Sequence, residues 1–374
     1  MEKTLSINYP ATHNGTEKSD LYFIEGTPDL AELFFGDGKE ANDGRRRFFV
    51  TDATVASLDC MQSFIFSFED EVRGNDVLFV LGSGEKYKTV DSVLRIVSGA
   101  VESGFTRNDV FVGIGGGVIS DITAFAASIF KRGAKVQFVP TTLLSMVDAA
   151  IGGKTGCDYG NVKNIIGTFY PAEKIFFYPQ FINYLPENQY NSGLAEAFKT
   201  ALLFDPQMYE MFKSESEKIN SRDKSLMLDI IRRCAGAKAK IVEEDFTEQG
   251  IRAHLNLGHT FGHALEAVAG FGAVTHGAAV AWGIGRAAEL SYKLELCTSR
   301  YKDEILGILK SYGWDNTGSP ECIQGGAIGE RLVTVMHKDK KNQNDRIRII
   351  LQKDIGQTII KEMDDRTILS VLGK

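Results

Sequence analysis

Short apolar runs alternate with helical stretches through the first half of this sequence. Five runs are apolar without polar alternation, as strands covered on both faces are: residues 47–51, 77–81, 109–114, 136–139 and 175–178. Residues 89–103 and 118–131, which lie between them, have apolar residues at helical spacing. Because strand–helix–strand units place their strands parallel, the alternation predicts an α/β fold with a parallel, doubly wound sheet.

After about Leu185 the pattern becomes mainly helical. The predicted helices cover residues 193–204, 223–244, 255–268 and 276–296, and one later β-like run covers 346–351. We therefore predict two domains, an α/β domain over residues 1–185 and a mainly α-helical domain over 186–374. An active site in the cleft between them is expected.

Composition excludes several classes of protein. Hydrophobic residues make up 43% of the 374 residues and charged residues 24%, which is typical of a soluble globular chain. The net charge of −7 gives no overall basic field, so no nucleic-acid partner is expected. No apolar run is long enough for a membrane span, and no secretory signal is evident. The five scattered cysteines never form CxxC, which favours reduced thiols and a cytoplasmic location.

Glycines are concentrated between one predicted strand and the helix that follows it, at Gly113, Gly115, Gly116 and Gly117. Glycine there lets the backbone approach a phosphate, which the free N–H groups of the helix N-terminus attract. The spacing differs from GxGxxG, so a simple tight turn is the alternative interpretation. A second glycine turn, residues 82–85, follows the preceding strand, and neighbouring parallel strands bind ligands at such ends.

Four of the six histidines lie within residues 253–276. His259 and His263 share one face of a predicted helix, and His276 begins the next helix. Glu196 lies in an apolar helical stretch, where a carboxylate needs a partner. Three such side chains and one open position suit a catalytic zinc ion. The alternative is a set of ordinary hydrogen-bonded histidines, and no HExxH motif is present. The remaining histidines are interpreted as structural: His13, His254 and His337.

Several cations are candidates for binding an anionic substrate. They are Arg132, Lys154, Lys163 (followed by Asn164), Lys199, Lys238, Arg252, Lys340 and Lys341. Most lysines of an acidic protein are solvated surface residues, and this remains the alternative for each one alone. A converging set would bind a phosphate and a carboxylate together. The residues themselves thus predict a nucleotide-using, metal-dependent enzyme for a small anionic substrate, without specifying the reaction.

Five motifs resemble the 3-dehydroquinate synthase family of sugar phosphate cyclases. They are GGGVISD, PTTLLSMVDAAIGGKTG, KNIIGTFYPA, SGLAEAFK, and LNLGHTFGHALEA with a later HG. The resemblance extends from about Asp52 to Gly356. It implies a Rossmann-like N-terminal domain, a helical C-terminal domain and a homodimer. It also implies NAD as a recycled cofactor and a zinc or cobalt ion.

The resemblance implies functions for individual residues. The metal ligands would be Glu196, His259 and His276. NAD would contact Asp52, Glu85, Lys88, Gly115, Gly116, Gly117, Asp121, Thr141, Thr142, Lys154 and Lys163. Substrate or catalytic positions would be Arg132, Asp148, Lys154, Lys163, Asn164, Lys199, Lys238, Arg252, Asn256, His263 and one of Lys340 and Lys341, of which spacing favours Lys341.

The implied reaction converts 3-deoxy-D-arabino-heptulosonate 7-phosphate to 3-dehydroquinate and phosphate. NAD oxidises a ring hydroxyl, phosphate is eliminated, the ketone is reduced again, and an intramolecular aldol step closes the carbocycle. Such an enzyme is a carbon–oxygen lyase of the shikimate pathway, which leads to aromatic amino acids. Lys154, Lys163, Lys199 and Arg132 would suit the phosphate. The carboxylate end and ring would be met by Arg252, Asn256 and Lys238, with His263 as a proton relay.

Three alternatives remain open. Sugar phosphate cyclases of the 2-epi-5-epi-valiolone or 2-deoxy-scyllo-inosose type share the metal motif but tend to change the carboxylate-binding residues. A metal- and NAD-dependent polyol dehydrogenase would accumulate NADH, and a non-catalytic binder would have lost catalytic positions. Thr54 and Tyr184 stand where this family usually has asparagine and threonine.

Overall fold

The structure of the chain is a computed structural model. The structure describes residues 4–10, 16–36, 43–68, 75–160, 162–270, 272–318, 320–323, 325–338 and 346–373. His13, Lys340 and Lys341 lie outside the described residues.

Strands are concentrated in the first half of the chain, as the apolar runs predict. In chain order they are β1 (Leu5–Asn8), β2 (Lys18–Phe23), β3 (Arg47–Asp52), β4 (Val77–Leu81), β5 (Val110–Gly115), β6 (Lys135–Pro140), β7 (Cys157–Tyr159), β8 (Val162–Ile166), β9 (Lys174–Phe177), β10 (Ile347–Asp354) and β11 (Gln357–Met363). The five predicted strands of the first half correspond to β3, β4, β5, β6 and β9.

Helices dominate the second half. In chain order they are α1 (Leu30–Phe35), α2 (Ala53–Ala56), α3 (Gln62–Phe66), α4 (Val90–Glu102), α5 (Gly117–Ile129), α6 (Glu187–Phe204), α7 (Pro206–Ser214), α8 (Ser216–Asn220), α9 (Lys224–Glu244), α10 (His259–Ala269), α11 (His276–Lys293), α12 (Ser299–Ser311), α13 (Ile328–Met336) and α14 (Asp365–Leu369). Short 3₁₀ helices cover Asp59–Met61, Glu85–Tyr87, Phe130–Arg132, Pro179–Tyr184 and Ile251–Asn256, and Ser145–Ala149 is a π-helical turn.

The central sheet has seven strands in the order β1-β2-β9-β6-β5-β3-β4. All neighbours from β2 to β4 pair in parallel, which confirms the predicted α/β class. The edge pair β1–β2 is antiparallel, so the sheet is mostly rather than wholly parallel. Neither β1 nor β2 is predicted from the sequence, because polar residues interrupt both of them.

The strand order reverses between β3 and β5. The chain runs from β3 to β4 on one side and then returns to place β5, β6 and β9 on the other side. Such a reversal opens a crevice at the carboxyl ends of the two strands, where sheets of this kind bind ligands. Thr51 pairs with Ile114, so Asp52 and Gly115 are neighbours at this edge.

Two compact units make up the chain. The first comprises Met1–Leu185 with Lys238–Thr247, and the second comprises Pro186–Ala237 with Glu248–Lys374. Helix α9 therefore contributes its first part to the second unit and its last residues to the first. In its described residues the second unit is mainly helical and contains one antiparallel hairpin, β10–β11. None of the described helices is both long enough and apolar enough to span a bilayer.

Aromatic rings form much of the core beside β3 in the first unit. Phe34 of α1, Phe49 of β3 and Phe64 of α3 are fully buried. The centroid of Phe49 lies 5.0 Å from that of Phe34 and 5.1 Å from that of Phe64, both in edge-to-face geometry. These ring contacts pack α1 and α3 against β3, the strand that ends at Asp52.

We expect Phe64→Ala to lower the free energy of unfolding by about 3–5 kcal/mol, because it empties a tightly packed ring site. Phe66 on the same helix is 55% exposed and provides a matched control. Phe66→Ala should change the stability by less than about 0.5 kcal/mol. Urea unfolding of both variants measures the difference, and equal losses would contradict this account of the core.

Candidate functional site

Three helices of the second unit bring Glu196, His259 and His276 together. Their ligand atoms all lie within 4.8 Å of one another. Glu196 Oε1 is 3.6 Å from His259 Nε2 and 3.4 Å from His276 Nε2. Among the described residues, this buried oxygen has no hydrogen-bond donor in good geometry. One carboxylate oxygen facing two imidazole nitrogens is a donor set that suits a divalent cation.

Close helix packing produces this cluster. A Cβ atom added to Gly277 would collide with the carbonyl oxygen of Ser192, so only glycine lets the start of α11 lie against α6 there. The Gly277 N–H also donates to Ser192 Oγ at 2.9 Å. His276 precedes this glycine, and Glu196 follows Ser192 by one helical turn. The contact therefore places the imidazole beside the carboxylate.

Helix α10 approaches α11 in a similar way. A Cβ atom on Gly262 would lie 2.9 Å from the carbonyl oxygen of Ala279. Gly258 adopts the left-handed conformation, with φ of 79°, and ends the preceding 3₁₀ segment. The predicted helix over 255–268 therefore starts later than expected, at His259.

The Nδ1 atoms of both histidines face acceptors. His259 Nδ1 is 3.2 Å from the carbonyl oxygen of Leu257, and His276 Nδ1 is 3.3 Å from Glu266 Oε2. Acceptors at Nδ1 hold the proton there and leave Nε2 available as a ligand. Sequence reasoning missed Glu266, although it lies seven residues after His259 and so on the same helix face.

Charges around Glu196 are strongly coupled. Its side chain is 1% exposed, and burial by itself would raise the pKa, but Lys199 and His276 lower the pKa of Glu196 to about 2. The Lys199 ammonium contacts the Oε2 oxygen. Burial opposes the charged form of His276, but Glu196 and Glu266 raise its pKa to about 10. Burial and the nearby Lys199 lower the pKa of His259 well below its usual value. The raised pKa favours the protonated form of His276, whose Nε2 faces Glu196 Oε1 at 3.4 Å.

His263 lies beside this cluster and is exposed. Its ring centroid is 5.3 Å from that of His259 and 6.0 Å from that of His276. His263, Glu266 and His276 form a second group within ligand distance of one another. The two groups share His276, and the Glu196 group is the more deeply buried.

A second candidate site lies at the switch point of the first unit. Gly116 precedes α5 and supplies no side-chain cap, so the first N–H groups of this helix are available for an anion. A Cβ atom on Gly116 would lie 2.9 Å from Thr142 Cγ2, and the Thr141 N–H donates to the Gly115 carbonyl at 2.9 Å. The glycines therefore form a narrow cradle against the end of β6, which fits a phosphate group.

The charged residues expected near NAD are in the same unit. Lys88 Nζ lies 2.6 Å from Asp121 Oδ2, and both groups are largely buried. Burial would lower the pKa of Lys88, but Asp121 and Glu85 raise it, whereas burial raises the pKa of Asp121. Asp52 caps α2 with one carboxylate oxygen.

Six of the predicted substrate residues belong to the first unit. Lys238 Nζ lies 2.5 Å from Asp148 Oδ1. Lys154, Lys163, Asn164 and Arg132 are exposed. Lys163 and Asn164 lie on the hairpin β7–β8, which sequence reasoning did not anticipate, and the Asn164 N–H donates to Asp158 Oδ1 at 2.8 Å. Arg132 has a positive φ of 66°, so the backbone at this cation is held in the left-handed region.

Arg252 and Asn256 belong to the second unit with the histidines. Both lie on the 3₁₀ helix Ile251–Asn256, and Arg252 is 1% exposed. Asn256 Nδ2 donates to Glu248 Oε1 at 2.6 Å. Leu257, whose carbonyl faces His259, follows directly. A buried guanidinium is therefore tied by a short segment to the histidine cluster.

Two family models match consecutive parts of the chain. The 3-dehydroquinate synthase N-terminal model matches residues 78–192, and the C-terminal model matches residues 193–342. The 3-dehydroquinate synthase of Acidithiobacillus ferrooxidans is 36% identical over 314 residues, which cover 83% of each chain. The chain belongs to the 3-dehydroquinate synthase family. The family resemblance inferred from the five motifs is thereby confirmed.

Solved structures agree with this family at the level of fold. A 2-deoxy-scyllo-inosose synthase complexed with carbaglucose-6-phosphate, NAD+ and Co2+ is 21% identical, with a TM-score of 0.83 over 98% of each chain. A 2-epi-5-epi-valiolone synthase from Streptomyces hygroscopicus with NAD+ and Zn2+ bound is 24% identical, with a TM-score of 0.82 over 94% of this chain and 95% of that one. The 3-dehydroquinate synthase family and these cyclases therefore share one fold.

Gly277→Ala should disrupt the histidine cluster, because the added methyl group must push α11 away from α6. We expect about 1–3 kcal/mol of lost stability and a zinc content well below that of the unchanged protein. Gly307→Ala in α12 is the control, since nothing lies within 4 Å of its added Cβ. Unfolding curves and elemental analysis after zinc dialysis measure both effects. Normal zinc content in Gly277→Ala would contradict this packing argument.

Zinc or cobalt affinity of the cluster should rise with pH. The pKa of His276 is raised to about 10 in the protein without metal, so binding below that pH must release its proton. We expect the apparent affinity to increase about tenfold per pH unit between pH 6.5 and 8.5. Competition with a chelator of known pH dependence measures this slope. The control His337→Ala should keep the slope, and a flat profile would refute the proton assignment.

Proposed function

We propose that the protein catalyses the conversion of 3-deoxy-D-arabino-heptulosonate 7-phosphate to 3-dehydroquinate and phosphate. The observation that carries this proposal is the buried Arg252, tied through Asn256 and Leu257 to His259. A guanidinium binds a carboxylate through two parallel hydrogen bonds, so the carboxylate of this substrate is a matching group for Arg252. The relatives named for this activity are similar over most of the chain.

Glu196, His259 and His276 would hold the divalent cation of this reaction. The unsatisfied, buried Glu196 oxygen and the two outward-facing Nε2 atoms support this assignment. Zinc and cobalt are the candidates, since the structural relatives contain Zn2+ or Co2+. When bound, the cation would polarise oxygen atoms of the substrate. Leu257 and Glu266 would keep the two imidazoles oriented for it.

NAD would bind at the switch point of the first unit, where the structure offers a glycine cradle and a carboxylate. Its contacts would come from Asp52, Glu85, Lys88, Gly115, Gly116, Gly117, Asp121, Thr141, Thr142, Lys154 and Lys163. When bound, it would take up and return a hydride, so no net NADH is formed. The N–H groups of α5 would neutralise the diphosphate, and the Lys88–Asp121 pair would support the adjoining segment.

Exposed cations of the first unit would bind the substrate phosphate. We assign this role to Arg132, Lys154 and Lys163, with Asn164 as a hydrogen-bond donor. Lys238 would contact the substrate ring, and its ion pair with Asp148 would hold the ammonium in place. His263, exposed beside the cluster, would relay a proton. Lys341 lies outside the described residues, and its role remains a proposal from the motif.

A second cyclase reaction is the main alternative. The solved structures with the same fold make 2-deoxy-scyllo-inosose or 2-epi-5-epi-valiolone, as their names state. Substrates of that type lack the carboxylate for which Arg252 is proposed. A polyol dehydrogenase would form NADH in net amounts, and this distinguishes it from a cyclase.

The deciding experiment is phosphate release by the purified protein with NAD and Zn2+ or Co2+. We expect turnover of 3-deoxy-D-arabino-heptulosonate 7-phosphate, a product with the mass of 3-dehydroquinate, and no net NADH. Glu196→Gln, which keeps the size of the side chain, should abolish metal-dependent turnover. Release from sedoheptulose 7-phosphate alone would move the protein to the valiolone type. Absence of phosphate release from both substrates, or accumulation of NADH with an alcohol, would refute the proposal.

Arg252→Ala should impair use of the carboxylate-bearing substrate. We expect kcat/KM to fall by a factor equivalent to about 2–5 kcal/mol, which is the usual effect of removing one partner of a buried charge pair. Arg300→Ala, at an exposed arginine of α12, is the control. Steady-state kinetics with 3-deoxy-D-arabino-heptulosonate 7-phosphate measure the change. An unaltered kcat/KM would place Arg252 away from the substrate.

We also propose that the protein acts as a homodimer in the cytoplasm, within the shikimate pathway. None of the five cysteines, all of which the structure describes, forms a disulfide, and reduced thiols suit a reducing compartment. Sedimentation of the purified protein would measure the assembly state directly, and a monomer at assay concentration would contradict the dimer.

A further inference from the structure

The two carboxylate oxygens of Asp52 differ in their hydrogen bonds. Oδ1 accepts hydrogen bonds from the Thr54 N–H at 2.9 Å, the Val55 N–H at 3.2 Å and the Ser83 hydroxyl at 2.9 Å. Within the described part of the chain, no donor is bound to Oδ2. One oxygen is therefore saturated by the protein, and the other is available to a ligand.

Ser83 fixes Asp52 through its hydroxyl hydrogen. Because a carboxylate can only accept, the Ser83 hydroxyl must donate to Asp52. Its oxygen can then accept from the Thr54 hydroxyl and the Thr54 N–H, each at 2.8 Å. The Thr54 hydroxyl thus donates to Ser83, and the Ser83 hydroxyl donates to Asp52. These two hydrogen bonds restrain the carboxylate and fix the orientation of Oδ2.

The sheet places this arrangement beside the glycine cradle. Asp52 and Gly115 end the neighbouring strands β3 and β5, and Ser83 follows the end of β4 on the far side of β3. A dinucleotide whose diphosphate binds at the start of α5 has its adenosine ribose close to the diphosphate. The end of β3 is the adjoining position at a switch point of this kind.

We propose that Ser83 and Thr54 are positioning residues that aim Asp52 at the 2′-hydroxyl of the adenosine ribose and so make the protein select NAD over NADP. The free oxygen accepts the ribose hydroxyl hydrogen, whereas a 2′-phosphate meets a fixed negative charge. This inference rests on the proposed use of NAD. Thr54 stands where the family usually has asparagine near the adenosine, and Ser83 is not among the cofactor residues that the resemblance implies.

The test is calorimetric titration of the unchanged protein and its variants with NAD and, separately, NADP. We expect the unchanged protein to bind NAD more tightly than NADP. Ser83→Ala should weaken NAD binding about five- to tenfold and alter NADP binding less than about twofold, so the selectivity ratio falls. Ser83→Thr, which keeps the hydroxyl, should restore the ratio. Ser63→Ala, at an exposed serine of α3, should leave it unchanged.

A double-variant cycle separates positioning from a general structural role. If Ser83 acts through Asp52, then Ser83→Ala should have almost no further effect on the ratio in an Asp52→Asn background. Independent, additive effects would overturn the proposal. If Ser83→Ala does not fold, Thr54→Val gives the same test, because it removes the hydroxyl and keeps the N–H bonds. An unchanged ratio in a folded variant would also overturn the proposal.

Failure of the proposed function can be distinguished from failure of this inference. NAD-selective binding that depends on Ser83, without any phosphate release from the two sugar phosphates, would support the inference and refute the reaction. Turnover with NAD and equal affinity for NADP would support the reaction and overturn the inference. Absence of NAD binding would overturn both.

Discussion

A buried carboxylate, Glu196, is the constraint on which the second unit depends. It lies in the middle of α6 with 1% exposure, where an uncompensated charge is strongly unfavourable. Lys199 compensates one oxygen, and His259 and His276 from α10 and α11 face the other. The glycine contacts between these three helices serve this arrangement, because larger side chains would separate the groups. A divalent cation held by these side chains would add to that compensation.

In the first unit, backbone geometry rather than a buried charge forms the candidate site. Its strand order places the ends of β3 and β5 on either side of a reversal, so a carboxylate and a glycine cradle meet at one edge. Gly116 and Gly117 stand at the start of α5, where no side chain caps the first backbone N–H groups. At the end of β3 the side chains instead hold one another, through Ser83 and Thr54, and present a single carboxylate oxygen.

Much of the fold could be predicted from local pattern. The run 77–81 coincides with β4, and the predicted helix 223–244 differs from α9 by one residue. Strands β1 and β2 could not be predicted, because polar residues interrupt them and only pairing with β9 and with each other makes them strands. Of the site, the residue types and their helix faces were readable. Glu266 and Ser83 were missed, because each orients another residue of a candidate site and belongs to no ligand-binding motif of its own.

The sequence by itself determined the order of strands and helices, the family, and which residues carry donors for a cation or an anion. These features depend on local periodicity and on motifs that are contiguous in the chain. Only the tertiary structure decided that Glu196 meets His276 across the Gly277–Ser192 contact, and that Ser83 meets Asp52. Such meetings depend on the distance between elements far apart in the chain, and packing and strand register set that distance.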